Sequence, residues 1–165
     1  ISSIGNGKLL PAGPLREDLS ELKKYNAVFI NGSKNKNLIN KIKTYNNKIK
    51  IFYGKYFLKN KNNFNLKEKY LAFCGIGTPE NFFKLLKDNK FKVTKNIIFP
   101  DHFNYTSKDI DKINKIANQN NLRIVTTEKD YMKVKKFKNF KVRYTDVDLN
   151  IEKYYNFKKF LVSYL

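Results

Sequence analysis

The only histidine of the chain, His102, comes directly after Asp101 and two residues after Pro100, where an apolar run ends. An imidazole with an ordinary pKa of about 6.5 exchanges protons near neutral pH, and a neighbouring carboxylate can orient it. The pair is therefore a candidate for general acid–base chemistry. The alternative is a structural histidine at the end of a strand, and the residues alone favour neither.

A second polar segment, 127–130, has the sequence Thr-Glu-Lys-Asp and follows the apolar run 122–126. Helix capping explains part of it, because Thr127 is a favoured N-cap and acidic residues are favoured in a first helical turn. The functional alternative is that Lys129 or Asp130 faces a cleft and takes part in chemistry there.

The glycine-rich segment 5–17 ends in Gly-Pro-Leu-Arg-Glu. Pro14 is placed like a first-turn proline, which predicts a helix whose positive N-terminus favours anions. Arg16 is then a candidate phosphate ligand, and Glu17 is a candidate contact for a substrate hydroxyl or for Mg²⁺. The alternative is an arginine and a glutamate that pair with each other in solvent.

Apolar strand-like runs alternate with amphipathic segments, which predicts an α/β fold with a mainly parallel sheet flanked by helices. The predicted strands are 27–30, 49–57, 70–74, 96–99, 122–126 and 141–145. The predicted helices begin at Pro14, at Pro79 and, with Ser107 as N-cap, near residue 108, and two more cover 131–137 and 151–165.

Polar and glycine residues are concentrated where the predicted strands end, in the segments 31–32, 75–77, 101–102 and 127–130. Ligands of open parallel sheets bind outside the carboxyl ends of the strands. We therefore expect these four strand ends to share one rim, which adds Asn31 to the candidate site residues.

The composition limits the kinds of site that the chain can build. One cysteine and one histidine leave no internal disulfide and no Cys/His zinc site. No run of about 18 apolar residues occurs, so we expect no membrane-spanning helix. The net charge of +20 comes mostly from lysine in an asparagine-rich chain. We attribute most of it to a solvated surface that still attracts phosphate-bearing partners or an anionic membrane.

The chain resembles the tetraacyldisaccharide 4'-kinase family in four motifs: Leu-Pro-Ala-Gly-Pro-Leu-Arg-Glu from Leu10, Gly-Ile-Gly-x-Pro-x-x-Phe-Phe from Gly75, Pro-Asp-His from Pro100 and Thr-Thr-Glu-Lys-Asp from Thr126. The resemblance implies the Rossmann-like C-terminal part of a P-loop kinase. It also implies that ATP and Mg²⁺ are used to phosphorylate the 4'-hydroxyl of a lipid A disaccharide 1-phosphate precursor. The implied location is peripheral, at the cytoplasmic face of the bacterial inner membrane.

The same resemblance implies roles for individual residues. His102 matches the histidine that partners an aspartate base across the cleft, with Asp101 beside it. Arg16 and Glu17 match a pair near Mg-ATP and the substrate. The last motif contributes Lys129 and Asp130 as further candidates without an assigned role.

The nucleotide-binding loop of the family has no counterpart in this sequence, because Gly7-Lys8 is followed by Leu9 rather than by Ser or Thr. We therefore expect residues 1–24 to be the end of an N-terminal kinase half with its hinge, and 25–165 to be the C-terminal α/β domain. We expect this fragment alone to be inactive and to need no obligate protein partner.

Two other functions fit part of the sequence. The first is a non-catalytic α/β module that binds phosphate-rich ligands or an anionic membrane surface. The second is a nucleic-acid binder, which only the charge suggests. Since no helix-turn-helix, aromatic RNA-binding or zinc motif occurs, we expect no nucleic-acid partner.

Overall fold

A computed structural model describes residues 4–165, which form two compact units. The first unit contains the chain up to Tyr56 together with Leu149–Leu165, and the second contains Phe57–Asp148. The strands are β1 (Ala27–Asn31), β2 (Lys50–Leu58), β3 (Lys69–Cys74), β4 (Lys92–Ile98), β5 (Arg123–Thr127), β6 (Val142–Thr145) and β7 (Val147–Ile151).

Helices alternate with most of these strands. The α-helices are α1 (Lys36–Tyr45), α2 (Pro79–Asp88), α3 (Ser107–Gln119), α4 (Glu128–Val134) and α5 (Tyr154–Val162). Two short 3-10 helices cover Leu19–Lys24 and Lys61–Asn63.

The second unit is built on a parallel sheet in the order β4-β3-β5-β6. Strand β3 lies inside this sheet and is buried from Tyr70 to Cys74, as its continuous apolar sequence predicts for a strand covered on both faces. Alternate side chains enter different core clusters. Tyr70 and Ala72 pack with Phe82 and Leu86 of α2, whereas Leu71 and Phe73 pack with Ile110 and Ile113 of α3.

Local sequence explains where the helices of this unit begin. Pro79 occupies the first turn of α2, as predicted. Helix α3 begins with a capping box in which the Thr106 hydroxyl accepts from the Asp109 N–H while the Asp109 carboxylate accepts from the Thr106 N–H. The predicted N-cap Ser107 is therefore wrong by one residue. Thr127 caps α4 by accepting from the Asp130 N–H, as predicted.

The first unit has its own sheet, in the order β1-β2-β7, in which β1 and β2 are parallel. Leu38 and Ile42 of α1 form a small core with Ile49. Phe157 and Phe160 of α5 contact Phe52 of β2, each with ring centroids 5.1 Å apart. Aromatic packing thus joins the C-terminal helix to the strand that precedes the second unit.

The α/β class with a parallel sheet flanked by helices is confirmed, but the expectation of one sheet is wrong. Strand β1 pairs with β2 and not with β3, so Asn31 ends a strand of a different sheet from the other candidate segments. The predicted helix at Pro14 is also wrong. The chain there forms a loop with a bridge between Leu9 and Leu15, and the first helical turn begins only at Leu19, capped by Asp18.

Candidate active site at the carboxyl ends of the parallel strands

Three of the four expected strand ends meet at one edge of the second unit. Strands β4, β3 and β5 are neighbours and run parallel, so the segments that follow them lie at the same edge of the sheet. These segments are 75–77 after β3, 99–102 after β4 and 128–130 after β5. The edge therefore combines a glycine turn, the Asp-His pair and the first turn of α4.

Three exposed polar side chains converge at this edge. The Lys129 ammonium lies 3.2 Å from Oδ1 of Asp101 and 3.5 Å from Nε2 of His102. The same His102 nitrogen lies 3.8 Å from Oδ2 of Asp101. Residues from two separate segments thus form one cluster of an ammonium, a carboxylate and an imidazole.

The backbone at His102 presents its ring to solvent. Its φ of 59° is in the left-handed region, which few residues other than glycine adopt. The Phe103 N–H closes this turn by donating to the Pro100 carbonyl at 3.2 Å. The His102 N–H donates to Oδ1 of Asp101 at 2.9 Å. The His102 side chain remains 77% exposed, so a ligand can reach it.

Asp101 is the anionic member of the cluster. The hydrogen bond from Lys129 lowers the pKa of Asp101, and the His102 N–H adds to this, while partial desolvation acts in the opposite direction. The side chain is therefore a carboxylate at neutral pH, beside one ammonium and one imidazole.

Asp130 follows Lys129 in the chain but points into the protein, where its side chain is fully buried. Its Oδ2 accepts hydrogen bonds from the Gly75 N–H at 2.9 Å and from the Thr127 hydroxyl at 2.7 Å. Its Oδ1 accepts from the Tyr105 hydroxyl at 3.0 Å. A buried carboxylate requires such donors. Asp130 therefore links the turn after β3 to the start of α4 and does not lie at the exposed edge.

The buried Asp130 is surrounded by groups that stay protonated. Burial, with the charge of Asp130 as the next cause, raises the pKa of Cys74 to about 12. Burial first, and then Asp130, raises the pKa of Tyr105 well above its usual value. At neutral pH, Tyr105 is therefore a donor to Asp130, and Cys74 is an unreactive buried thiol.

We expect Gly75→Ala to destabilise the protein more than Gly77→Ala. A methyl group at Gly75 would lie 3.0 Å from the Pro100 carbonyl oxygen and 3.1 Å from the Tyr105 hydroxyl. Neither neighbour moves freely, so this overpacking costs about 1–2 kcal/mol. A methyl group at Gly77 would meet the Asp101 carboxylate at 3.2 Å, and that exposed side chain can turn away. Urea unfolding followed by circular dichroism compares the two variants, and equal midpoints would contradict the prediction.

Arg16 and Glu17 lie in the first unit, in an exposed loop. The Glu17 carboxylate accepts a hydrogen bond from the Tyr25 hydroxyl at 2.7 Å, which raises the pKa of Tyr25. No ion pair joins Arg16 and Glu17 within residues 4–165, so the mutual pairing considered for them is not found. Asn31 is also exposed and belongs to the same unit.

Asn6 shapes the loop that leads to Arg16. Its amide nitrogen donates to the Ala12 carbonyl at 2.8 Å, and its oxygen accepts from the Lys8 N–H at 3.1 Å. A methyl group at Gly13 would overlap the Asn6 oxygen and the backbone carbonyl of Lys8, so only glycine fits there. The two glycines around Asn6 indicate a tight turn in the sequence. The bond of its side chain to Ala12 joins residues six positions apart, and no local pattern indicates it.

The sequence model of one family, described as Tetraacyldisaccharide-1-P 4'-kinase (LpxK), matches residues 2–165. The chain belongs to this family. Three curated relatives named Tetraacyldisaccharide 4'-kinase support the assignment. The protein of Pelagibacter ubique is 40% identical over 92% of this chain and 49% of its own length. The proteins of Rickettsia akari and Rickettsia bellii are 36% and 39% identical, over 90% and 79% of this chain and 44% and 40% of their own lengths.

This member of the kinase family spans about half the length of the curated relatives that it matches. A crystal structure of LpxK from Aquifex aeolicus in complex with ATP is similar in fold, with a TM-score of 0.59 and 23% sequence identity. The similarity covers 95% of this chain and 48% of that chain. It supports the α/β fold of this chain.

Magnesium is the metal that the sequence resemblance predicts. Residues 4–165 contain no group of three or more His, Cys, Asp or Glu side chains that could hold a metal ion. Glu17 offers one carboxylate, and one of its oxygens already accepts from Tyr25. Because Mg²⁺ usually keeps several waters and binds one or two carboxylates together with substrate phosphates, Glu17 stays a candidate contact for the ion. In the same range, no helix is both long and apolar enough to cross a membrane.

Proposed function

We propose that this chain is the C-terminal part of an ATP-dependent kinase that phosphorylates the 4'-hydroxyl of a lipid A disaccharide 1-phosphate precursor. The family match over residues 2–165, which includes the Pro-Asp-His motif, carries the proposal. The cluster of Asp101, His102 and Lys129 at an exposed sheet edge supports it, because a substrate hydroxyl can approach these side chains.

His102 assists the removal of the proton from the acceptor hydroxyl in this proposal. Phosphoryl transfer depends mainly on positioning and on stabilisation of charge, and a placed proton acceptor adds to both. We assign the partner aspartate base to the part of the family's length that this chain does not cover. His102 orients that base and tunes its basicity, and Asp101 holds the turn that presents the ring.

Arg16 and Glu17 contact the polyanionic substrates in this proposal. Arg16 is exposed and forms no ion pair within residues 4–165, so its guanidinium is available for bidentate binding of a phosphate. Glu17 keeps one carboxylate oxygen for a substrate hydroxyl. We keep Asn31 as a further contact, since it is exposed in the same unit.

A lipid-linked substrate requires access to a membrane surface. We propose a peripheral location at the cytoplasmic face of the inner membrane, where the net charge of +20 favours anionic lipid headgroups. Lysines attract such a surface without any specific site. Neither a protein partner nor a nucleic acid is needed for this function.

The 165-residue chain alone should transfer no phosphate, because no Gly-x4-Gly-Lys-Ser/Thr loop occurs in its sequence. A chimera that joins it to the uncovered half of the Pelagibacter ubique relative should be active. Transfer of labelled phosphate from ATP to lipid A disaccharide 1-phosphate in detergent micelles measures both. The relative's half alone is the control and should also be inactive.

Two results would contradict this proposal in different ways. Transfer by the isolated chain would show that its own residues bind the nucleotide. An inactive chimera, together with binding of the isolated chain to anionic vesicles, would favour the non-catalytic module that the net charge of +20 suggests.

A further inference from the structure

We propose that Lys129 is a positioning residue whose ammonium bridges Asp101 and His102 and fixes the imidazole as the tautomer with Nδ1 protonated and Nε2 free. Only the catalytic consequence of this proposal rests on the proposed function. The structural part concerns three side chains of the second unit and stands without it.

The direction of the hydrogen bonds follows from the chemistry of the ammonium group. Lys129 has donors and no acceptor, so it donates to Oδ1 of Asp101 at 3.2 Å and faces Nε2 of His102 at 3.5 Å. A ring nitrogen that faces an ammonium is favoured as an unprotonated acceptor. In neutral imidazole the proton then resides on Nδ1.

The Asp101 carboxylate acts in the opposite direction. Its Oδ2 lies 3.8 Å from Nε2 of His102, and a free carboxylate at that distance favours a protonated ring nitrogen. Lys129 opposes this in two ways, because it neutralises the charge of Asp101 and lies closer to the ring nitrogen than the carboxylate does. Without Lys129, the Asp101 carboxylate would be the nearest charged group to His102.

The place of Lys129 is fixed by its neighbour. Asp130 is fully buried and its carboxylate has three donors, so the first turn of α4 is held firmly against the turn after β3. An isolated surface ion pair contributes little because two mobile side chains must be ordered. Here a single ammonium meets two groups that already share a closed turn. Lys133, which lies on the same helix, donates to the Phe103 carbonyl at 3.1 Å.

With Nε2 directed at the Lys129 ammonium, the protonated Nδ1 is the ring nitrogen that can donate a hydrogen bond. In the proposed function it donates to the aspartate base, which takes the proton of the acceptor hydroxyl and releases it to solvent after the transfer. Lys129 therefore acts through His102 and needs no contact with the substrate.

Nitrogen NMR of the 165-residue chain tests the tautomer directly, because His102 is its only histidine and its ring signals are unambiguous. In its neutral form, the wild-type ring should carry its proton on Nδ1. In Lys129→Met the neutral ring should carry the proton mainly on Nε2. Lys135→Met, the same change at the exposed residue that follows α4, should leave the tautomer unchanged.

The Lys129→Arg variant distinguishes a positioning role of Lys129 from a role in folding alone. Lys129→Arg keeps a cation that only donates, so the Nδ1-protonated tautomer should persist. In the active chimera, Lys129→Met should lower kcat by about 10-fold with an unchanged KM for ATP. A Lys129→Met spectrum identical to that of the wild type would overturn the proposal. A changed tautomer with an inactive chimera would instead overturn the proposed function alone.

Discussion

In the active chimera, His102→Ala lowers kcat by about 100-fold, the scale of a lost proton-transfer group. In the proposed function the imidazole is the member of the exposed cluster that orients the aspartate base, since Asp101 is held as a carboxylate by Lys129. KM for ATP stays the same, because His102 is not assigned to the nucleotide. Steady-state rates at varied ATP and lipid concentrations separate the two parameters.

A second variant separates the imidazole from the backbone. His102 has a φ of 59°, a conformation in which alanine is strained and asparagine is tolerated. His102→Asn removes the imidazole while keeping the turn, and it should lose as much kcat as His102→Ala. A loss confined to the alanine variant would attribute the effect to the turn. An unchanged kcat in both would make His102 a structural residue.

The second unit could be predicted well because its signals are local. Strand β3 is a continuous apolar run, Pro79 marks the start of α2, and Thr127 caps α4. Each feature depends on residues adjacent in the chain. The predicted boundaries of α4 were less accurate. This helix begins at Glu128, three residues before the predicted start.

Helix α1 was not predicted, because lysine and asparagine occupy most of the positions around its buried residues. Only Leu38 and Ile42 of its ten residues are buried, so the sequence resembles a polar loop. The signal was present at Asn35, whose side chain accepts from the Leu38 N–H at 3.1 Å. Asparagine is a strong N-cap, but it occurs so often in this chain that one more did not stand out.

The division into two sheets could not be predicted from local patterns. Which strands pair depends on contacts between distant residues, and β1 could join either β2 or β3 by its apolar sequence alone. The same limit explains why the helix predicted to begin at Pro14 is not found. Its sequence fits a helix start, but Leu15 bonds back to the chain, with its N–H on the Lys8 carbonyl and its carbonyl accepting from Leu10.

Local sequence patterns also fail to separate the roles of two adjacent residues of the candidate site. Sequence reasoning proposed Lys129 and Asp130 together, as alternatives for one exposed role. In the structure Lys129 meets Asp101 at the surface, while Asp130 is buried against Tyr105 and Gly75. Two of the three partners of Asp130 lie 25 and 55 residues away in the chain, so no local pattern indicates its burial.

Asp130→Ala lowers the free energy of unfolding by about 3–4 kcal/mol. The substitution leaves the Gly75 N–H and the hydroxyls of Tyr105 and Thr127 without their shared acceptor in a buried place. It also removes the side-chain volume that fills this position. Urea unfolding at pH 7, followed by circular dichroism, measures the loss. Asp111→Ala, an exposed aspartate in α3, should change stability by less than about 0.5 kcal/mol.

Asp130→Asn tests how much of this loss of stability comes from the lost hydrogen bonds. Its amide oxygen can still accept from the Gly75 N–H and the Thr127 hydroxyl, and its NH₂ can donate to a reversed Tyr105 hydroxyl. The asparagine variant should therefore lose about half as much stability as the alanine variant. Equal losses would mean that the charge of Asp130 matters more than the number of its acceptors. Losses below about 1 kcal/mol in both would mean that water replaces the carboxylate, and that the turn after β3 does not depend on Asp130 for its position beside Lys129.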